Sequence, residues 1–257
     1  MKLLSVIPQS IKIWVKRFSR NPFENHKKLI VHTCYHKVGT VWFSRILRSI
    51  ASYYGLKFQK STPDKLEKDT EIFFDDHSLI DPGLLINYVG SHMIRDPRDI
   101  VISGYFYHLR TSEKWALETK EEYGNMSYQE LLKSKNRDDG IMLEIERTLP
   151  EINQMAKWDY SNPNFIEIKY EDIIKNESEY FKRIFQHYGF NKKAINKALE
   201  IANSFSIKNL KPKKNSHIRS GKPGEWKKFF TGEHKTYFKN RLGDALIILG
   251  YEKDYDW

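Results

Sequence analysis

The sequence predicts a single α/β domain in which a largely parallel sheet is flanked by helices. Short apolar runs rich in β-branched residues alternate with longer segments of helical periodicity, as in βαβ units. The first such pair is joined by a tight turn of the kind that binds phosphate at a helix start. The chain has 257 residues, 40% hydrophobic and 30% charged, which suits one large globular domain.

The first strand and helix are the clearest elements. Residues 29–34 read LIVHTC, an apolar run that predicts a buried strand. From Thr40 to Tyr54, apolar side chains recur at helical spacing, and Gly55 then ends the helix. We therefore expect a strand, a tight turn and a helix in this stretch.

The turn of residues 35–39, which we call the Lys37 loop, has the features of an anion site. Unpaired N–H groups and the dipole at a helix start attract phosphate or sulfate. Lys37 adds a cation, and Gly39 lets the backbone approach an anion closely. The loop differs from that of nucleoside triphosphatases, in which the lysine follows the second glycine and precedes a hydroxyl for Mg²⁺.

The remaining elements follow in order. Asp96 and Pro97 form a helix start, and residues 127–130 form a capping box. Residues 111–124 are charged and irregular and predict a lid-like insertion, while residues 211–225 predict a long loop. Strands are further predicted at 56–59, 71–74, 88–94 and 165–170, and helices at 97–110, 140–158 with a kink at Pro150, 177–188, 192–202 and 233–249.

Composition limits the partners and the chemistry. The formal net charge of +10 favours anionic partners such as nucleotides, acidic glycans, nucleic acid or a membrane surface. Cys34 is the only cysteine of the sequence, so neither an intrachain disulfide nor a cysteine zinc site can form.

Residues 1–27 are expected to form an N-terminal segment and linker, and residues 28–257 the domain. Residues 10–20 have an amphipathic pattern that predicts a helix packed on the domain or, alternatively, resting on a membrane surface. Proline and cations interrupt the first residues, so we expect neither a signal peptide nor a membrane span. The expected location is cytoplasmic, with peripheral membrane contact as the alternative.

Four chemically active positions lie at the ends of predicted strands. They are Cys34, the Asp75/His77 pair, Arg95 and Tyr170. Ligands of parallel α/β sheets bind at the carboxyl ends of the strands. We therefore expect these positions to converge on one crevice.

Two motifs resemble those of the PAPS-dependent sulfotransferases, PAPS being 3′-phosphoadenosine-5′-phosphosulfate. From Lys37 the chain reads K-x-G-T-x-W, which is similar to the 5′-phosphosulfate loop of that family. Arg95 and Ser103 have the spacing R-x-x-x-x-x-x-x-S, which is similar to its 3′-phosphate motif, and the run SGYFYH continues like the family pattern. An arginine can bind phosphate bidentately, and a serine hydroxyl can donate to it.

A third motif begins at Arg219. Arg219, Ser220 and Gly221, with GEWKKFFT at 224–231, resemble the family's R-K-G-x-x-G-[DE]-W-K-x-x-F-T loop over the 3′-phosphate. Ser220 stands where lysine is usual, so one cation is lost and a lower nucleotide affinity is expected. The three motifs follow the order of the family and cover residues 29–231.

The resemblance implies a sulfotransferase that uses PAPS, releases 3′-phosphoadenosine-5′-phosphate (PAP) and needs no metal. It makes Lys37 the cation at the leaving phosphate oxygen and His77 the catalytic base, with Asp75 or Asp76 orienting or replacing His77. Asp75 stands where the family often has lysine. The resemblance implies two sets of cofactor contacts. The phosphates would be bound by Lys37, the backbone of Val38, Gly39, Thr40 and Val41, the Thr40 hydroxyl, Arg95, Ser103, Arg219, Ser220 and Gly221. The residues near the adenine would be Trp42, Tyr170, Asn203 and Phe205. A purely structural role in the core stays open for Trp42 and Phe205.

The alternatives to a sulfotransferase are a nucleotide kinase and a nucleic-acid-binding module. A nucleotide kinase of P-loop architecture would need the other order of lysine and glycine. A nucleic-acid-binding module would need a basic stripe interleaved with aromatic residues, whereas the lysines are spread along the chain. Preference for a nucleotide with a 3′-phosphate over ATP would separate sulfotransferase from kinase.

The acceptor is expected to carry a hydroxyl group. A glycan, a lipid head group and a small alcohol or phenol all remain open, and the basic charge favours an anionic or sugar acceptor. The family's dimer motif would begin at Lys227, but Gly232 and Thr236 depart from it. We therefore expect that form of dimer to be absent.

Overall fold

The computed structural model describes residues 21–25, 27–207 and 221–257. Its centre is a five-stranded sheet in which all neighbouring strands are parallel. The sheet contains β1 (Leu29–Cys34), β2 (Phe58–Lys60), β3 (Ile72–Asp75), β4 (Tyr88–Ile94) and β7 (Phe165–Lys169), in the order β2–β3–β1–β4–β7. A separate antiparallel hairpin is formed by β5 (Thr119–Lys120) and β6 (Met126–Ser127). The predicted α/β domain with a parallel sheet is confirmed.

Helices flank this sheet. They are α1 (Thr40–Tyr54), α2 (Pro97–His108), α3 (Lys114–Leu117), α4 (Tyr128–Lys133), α5 (Arg137–Lys157), α6 (Tyr170–Ile173), α7 (Glu177–His187), α8 (Lys192–Ser204), α9 (Gly232–Leu242) and α10 (Ala245–Ile248). The apolar faces of α1, α7 and α8 pack on one face of the sheet, and a second core joins α2, α5, α9 and α10.

Local chemistry explains where the main helices begin and end. Asp96 caps α2 by accepting a hydrogen bond from the N–H of Arg98, and Ser127 and Glu130 form the predicted capping box of α4. Gly55 ends α1 in the left-handed conformation with its N–H bonded to the Ala51 carbonyl. The predicted helix boundaries at these ends are confirmed.

Three segments differ from the sequence expectation. Residues 111–124 contain α3 and part of the hairpin, because Glu113 accepts hydrogen bonds from the Tyr107 hydroxyl and the Trp115 indole, each 2.7 Å long. The helix expected at 233–249 is divided into α9 and α10, since Gly243 leaves helical geometry with φ 48° and ψ −123°. Helix α5 continues through Pro150 and begins earlier than expected, at Arg137.

The segment predicted as a linker contributes contacts to the domain. The Pro22 carbonyl accepts a hydrogen bond from the Asn191 N–H, and the Phe23 ring lies 5.7 Å from that of Phe190. The domain boundary after residue 27 stays a prediction, and the amphipathic pattern at 10–20 lies outside the described residues. Among the helices in the described ranges, none combines the length and apolarity needed to cross a membrane.

Candidate active site

The Lys37 loop joins the end of β1 to the start of α1. Lys37 and Gly39 both have left-handed backbone geometry, with φ 62° and 103°. A Cβ atom at Gly39 would lie 3.1 Å from Met93 Cε and 3.6 Å from the Tyr170 ring, so glycine permits this close approach. No side chain caps α1, and its first N–H groups are therefore available to an anion.

Other side chains of the loop play structural roles. The Thr40 hydroxyl donates to the Tyr35 carbonyl at 3.1 Å, which closes the turn. Its predicted contact with the cofactor would require this bond to be exchanged. Val38 is fully buried and its N–H donates to the Tyr35 carbonyl at 3.4 Å, so its predicted contact with the cofactor would require that bond to be exchanged as well. Val41 is exposed, and its contact stays a prediction.

Arg95 connects the first and second motifs. Its Nη1 atom donates to the Lys37 carbonyl at 3.1 Å, and its guanidinium stacks 4.6 Å from the Tyr170 ring centroid. Its Nε atom is buried and finds no hydrogen-bond partner among the described residues. The structure thus brings together Lys37, Arg95 and Tyr170, three of the predicted site residues. Ser103 lies half-buried on α2, in the helix that follows Arg95.

The Lys37 side chain is enclosed. Its Nζ atom lies 3.5 Å from the centroid of the Tyr107 ring. Burial, reinforced by the nearby charge of Arg95, lowers the pKa of Lys37 to about 7, while Glu113 and Glu144 oppose the shift. An anion bound beside this amine would stabilise its charged form.

Asp99, which belongs to the second motif, holds the third motif next to it. The Asp99 carboxylate accepts hydrogen bonds from the N–H groups of Gly224 at 2.6 Å and Trp226 at 2.9 Å. The Tyr170 hydroxyl donates to the Gly221 carbonyl at 3.0 Å. Gly221 is therefore held beside Tyr170, and its contact with the 3′-phosphate stays a prediction. Arg219 and Ser220 lie outside the described residues.

His77 follows β3 and is the predicted base. Its side chain is 52% exposed, and its Nε2 atom lies 3.8 Å from an oxygen of Asp76, which pairs with Lys60. Asp75 is buried, and its carboxylate accepts the N–H groups of His77 and Ile80. Asp75 thus stabilises the turn, and Asp76 lies near the imidazole without a hydrogen bond to it. That Asp75 or Asp76 orients or replaces His77 stays a prediction.

The similarity of the chain to known proteins identifies its family. A protein-family model described as the sulfotransferase domain matches residues 92–249, which is more than half of the chain. The chain belongs to the sulfotransferase domain family. Sulfuryl transfer is the activity of this family, and the comparisons favour neither the kinase nor the nucleic-acid-binding alternative. The match begins after the Lys37 loop.

Solved sulfotransferase-like structures share this fold. Retinol dehydratase in complex with androsterone and the inactive cofactor PAP is 16% identical, with a TM-score of 0.57 over 90% of this chain and 85% of that chain. Retinol dehydratase in complex with retinol and PAP is 17% identical, with a TM-score of 0.57 over 91% of this chain and 86% of that chain. Mouse sulfotransferase SULT7A1 complexed with PAP is 16% identical, with a TM-score of 0.50 over 92% of this chain and 94% of that chain. These identities show the fold alone. A search of curated proteins found no match.

The residues of this sulfotransferase that are predicted to contact the adenine differ in their exposure to solvent. Trp42 is buried in the core, edge-to-face with Phe43 and Phe181 at 5.6 and 5.3 Å. Phe205 is half-buried at the end of α8, and Asn203, two residues before it, is exposed. The structure therefore gives Trp42 a packing role, and its adenine contact stays a prediction.

Sequence reasoning missed Arg98, which supports the third motif. Its guanidinium lies 3.8 Å from the Trp226 ring centroid and 4.5 Å from that of Trp257, and it donates to Asp96 and Glu252. The only sequence signal was an arginine within the R-D-P-R-D run, which does not reveal its aromatic partners.

A second missed group lies near Lys37. Glu144 of α5 is fully buried and accepts three hydrogen bonds, from His108 Nδ1 at 2.9 Å and from the Tyr128 hydroxyl and Arg147 Nε at 2.7 Å. The His108 ring stacks on that of His36, with centroids 5.4 Å apart. In the described ranges, no group of three or more His, Cys, Asp or Glu side chains is arranged to hold a metal ion.

Proposed function

We propose that this sulfotransferase moves the sulfuryl group of PAPS to an acceptor hydroxyl by in-line displacement. The observation that supports this most directly is the position of Arg95, which bonds to the Lys37 carbonyl, stacks on Tyr170 and keeps a buried Nε atom without a partner in the described residues. A guanidinium with an unused donor beside an uncapped helix start fits an anionic nucleotide. The neighbours of similar fold are complexed with PAP.

This function gives each predicted residue a role in cofactor binding or in sulfuryl transfer. PAPS supplies the sulfuryl group and leaves as PAP. The backbone N–H groups of residues 38–41 would hold the 5′-phosphosulfate, and Lys37 would neutralise the charge that develops on the leaving phosphate oxygen. Arg95 and Ser103, with Arg219, Ser220 and Gly221, would bind the 3′-phosphate, and Tyr170, Trp42, Asn203 and Phe205 would surround the adenine.

The acceptor side needs a base. His77 would accept the proton of the acceptor hydroxyl on an imidazole nitrogen as the oxygen attacks sulfur. The Asp76 carboxylate oxygen lies 3.8 Å from Nε2, beyond hydrogen-bond distance, so Asp76 would act on the imidazole through its charge. An anionic or sugar acceptor fits the net charge of +10, and residues 10–20 would place the enzyme at a membrane surface if they form an interfacial helix.

Calorimetric titration with PAP tests the cofactor assignment. Wild type is expected to bind PAP and to prefer it to ATP with Mg²⁺. Arg95→Ala should weaken binding by about 2–3 kcal/mol, as expected for charged hydrogen bonds, whereas Arg183→Ala, an exposed arginine on α7, should not. Preference for ATP, or PAP affinity equal in wild type and Arg95→Ala, would contradict the proposal.

A further inference from the structure

Four buried polar atoms in the turn before Lys37 and on helices α2 and α5 find no hydrogen-bond partner in the described residues. They are His36 Nε2, His108 Nε2, Arg147 Nη2 and Glu151 Oε2. Buried polar groups are nearly always paired in proteins, so a group of exceptions calls for a binding partner. We call these four side chains the polar row.

The polar row is one connected structure. His36 precedes Lys37 in the loop, and its ring stacks on that of His108 at an interplanar angle of 10°. Glu144 binds both His108 and Arg147 and so fixes their positions. Glu151 follows Arg147 by one turn of α5, and the charges of both Arg147 and His77 act on it. The row therefore extends from the Lys37 loop toward His77, the predicted base.

The hydrogen-bonding character of the row is mixed. Glu144 accepts from His108 Nδ1, which leaves His108 Nε2 as an acceptor. Burial lowers the pKa of His108 and holds that of His36 well below its usual value, so both rings are neutral. Arg147 Nη2 can only donate. Burial raises the pKa of Glu151, so its Oε2 atom accepts when the carboxyl is ionised and can donate when it is protonated. A ligand that pairs with the row must therefore both donate and accept, as hydroxyl groups do.

The charge of the row is already balanced. Arg147 bonds to Glu144 and lies within the field of Glu151. An anionic group placed against Arg147 would therefore also face these two carboxylates. This arrangement favours neutral hydroxyl groups over a carboxylate or sulfate.

An aromatic side chain stands at the edge of the row. Trp115 is 37% exposed, and its ring lies 5.1 Å from that of His108 and 5.9 Å from the Arg147 guanidinium carbon. Glu113 fixes the indole through a 2.7 Å bond to its N–H. A partly exposed, rigid indole offers an apolar surface to the face of a cyclic ligand.

From these observations we infer that the polar row is an acceptor subsite for a neutral saccharide, whose further hydroxyl groups pair with His36, His108, Arg147 and Glu151 while one hydroxyl is sulfated. This inference rests on the proposed function and names its substrate class. It sets the chain apart from the neighbours of similar fold, which were solved with retinol and androsterone. An apolar alcohol would leave the four buried atoms unpaired.

The test is an acceptor panel with radiolabelled PAPS. It contains neutral saccharides (methyl β-glucoside, methyl β-galactoside, lactose and maltotriose), a glucuronate-containing disaccharide, androsterone and retinol. We expect the highest kcat/KM for a neutral saccharide. Preference for androsterone, retinol or the anionic disaccharide would overturn the inference, and so would transfer to none of them by protein that binds PAP. Failure to bind PAP is a separate result, which overturns the proposed function itself.

Conservative variants test whether the preference for a saccharide acceptor depends on the polar row. Glu151→Gln and Arg147→Lys should each raise the saccharide KM at least tenfold and leave the KM for PAPS within twofold. The matched control is Arg241→Lys, because Arg241 pairs with Glu146 on the exposed side of α5. If the saccharide KM is unchanged in folded Glu151→Gln, the row is not the subsite.

Discussion

The Nη1 atom of Arg95 donates a hydrogen bond to the carbonyl oxygen of Lys37, at 3.1 Å. One side chain at the end of β4 thus fixes the backbone of the loop that follows β1. Arg95 also places a positive charge beside the amine of Lys37 and lowers its pKa further than burial alone. The two residues should therefore respond together when a nucleotide binds.

Proton uptake should accompany PAP binding above neutral pH. With a pKa of about 7, Lys37 is largely neutral at pH 8, and binding of an anion should restore its proton. PAP itself contributes little at pH 8, because the second pKa of a phosphate is about 6. Below pH 6 Lys37 is already charged, so it should take up no proton.

Calorimetry in two buffers of different ionisation enthalpy, such as Tris and HEPES at pH 8, measures this uptake. We expect up to about one proton per PAP bound for wild type and for Lys182→Arg, an exposed lysine on α7. Lys37→Arg should abolish it, since arginine stays charged. Equal uptake in wild type and Lys37→Arg would assign the proton to another group.

Gly104→Ala should destabilise the protein. A Cβ atom there would lie 2.3 Å from Glu144 Oε1, so the carboxylate with three hydrogen bonds must move. We expect the free energy of unfolding in urea to fall by about 1–3 kcal/mol. Gly232→Ala is the control, because a methyl group there would meet no heavy atom of the described residues within 4 Å. A loss no larger at Gly104 than at Gly232 would show that Glu144 can shift without cost.

Asp99→Asn should loosen the third motif. An amide can accept only with its one oxygen, so one of the two N–H groups, Gly224 or Trp226, loses its partner. The expected loss of stability is about 1–3 kcal/mol. Hydrogen exchange should increase at residues 221–230, and PAP affinity should fall. The exposed Asp256→Asn should change neither, and unchanged exchange in Asp99→Asn would argue against this anchor.

His77→Asn should reduce turnover without weakening PAP binding. Loss of a general base lowers kcat by about 10²–10⁴, whereas His77 lies on the predicted acceptor side. His187→Asn serves as control, because His187 binds the Asn164 carbonyl away from the loop. If kcat stays within threefold of wild type with the best acceptor, another residue must be the base.

The sequence predicted the fold, and it predicted that Cys34, the Asp75/His77 pair, Arg95 and Tyr170 would converge on one crevice. Of these, Arg95 lies against the Tyr170 ring. The fold prediction is confirmed, because strand ends and helix starts have local sequence signals and parallel strands bring their carboxyl ends to one edge of the sheet. Whether these residues bind PAPS stays a prediction until it is tested.

The polar row could not be predicted in the same way. Glu144 pairs with His108 and Tyr128, which lie on other helices, and a glutamate inside an amphipathic helix gives no sign of burial. Trp42 shows the converse, since a motif position that suggests ligand contact is packed against Phe181. Both outcomes depend on tertiary packing, which spacing along the chain does not specify.

The strand order has a consequence for how the enzyme acquires its activity during folding. Because β1 lies between β3 and β4, the loops bearing Lys37, His77 and Arg95 become neighbours only after distant parts of the chain have paired. Such pairings have high contact order, and their loop-closure entropy makes folding slow. Fragments and early collapsed species would therefore lack nucleotide affinity, and PAP binding would appear with the last stage of sheet assembly.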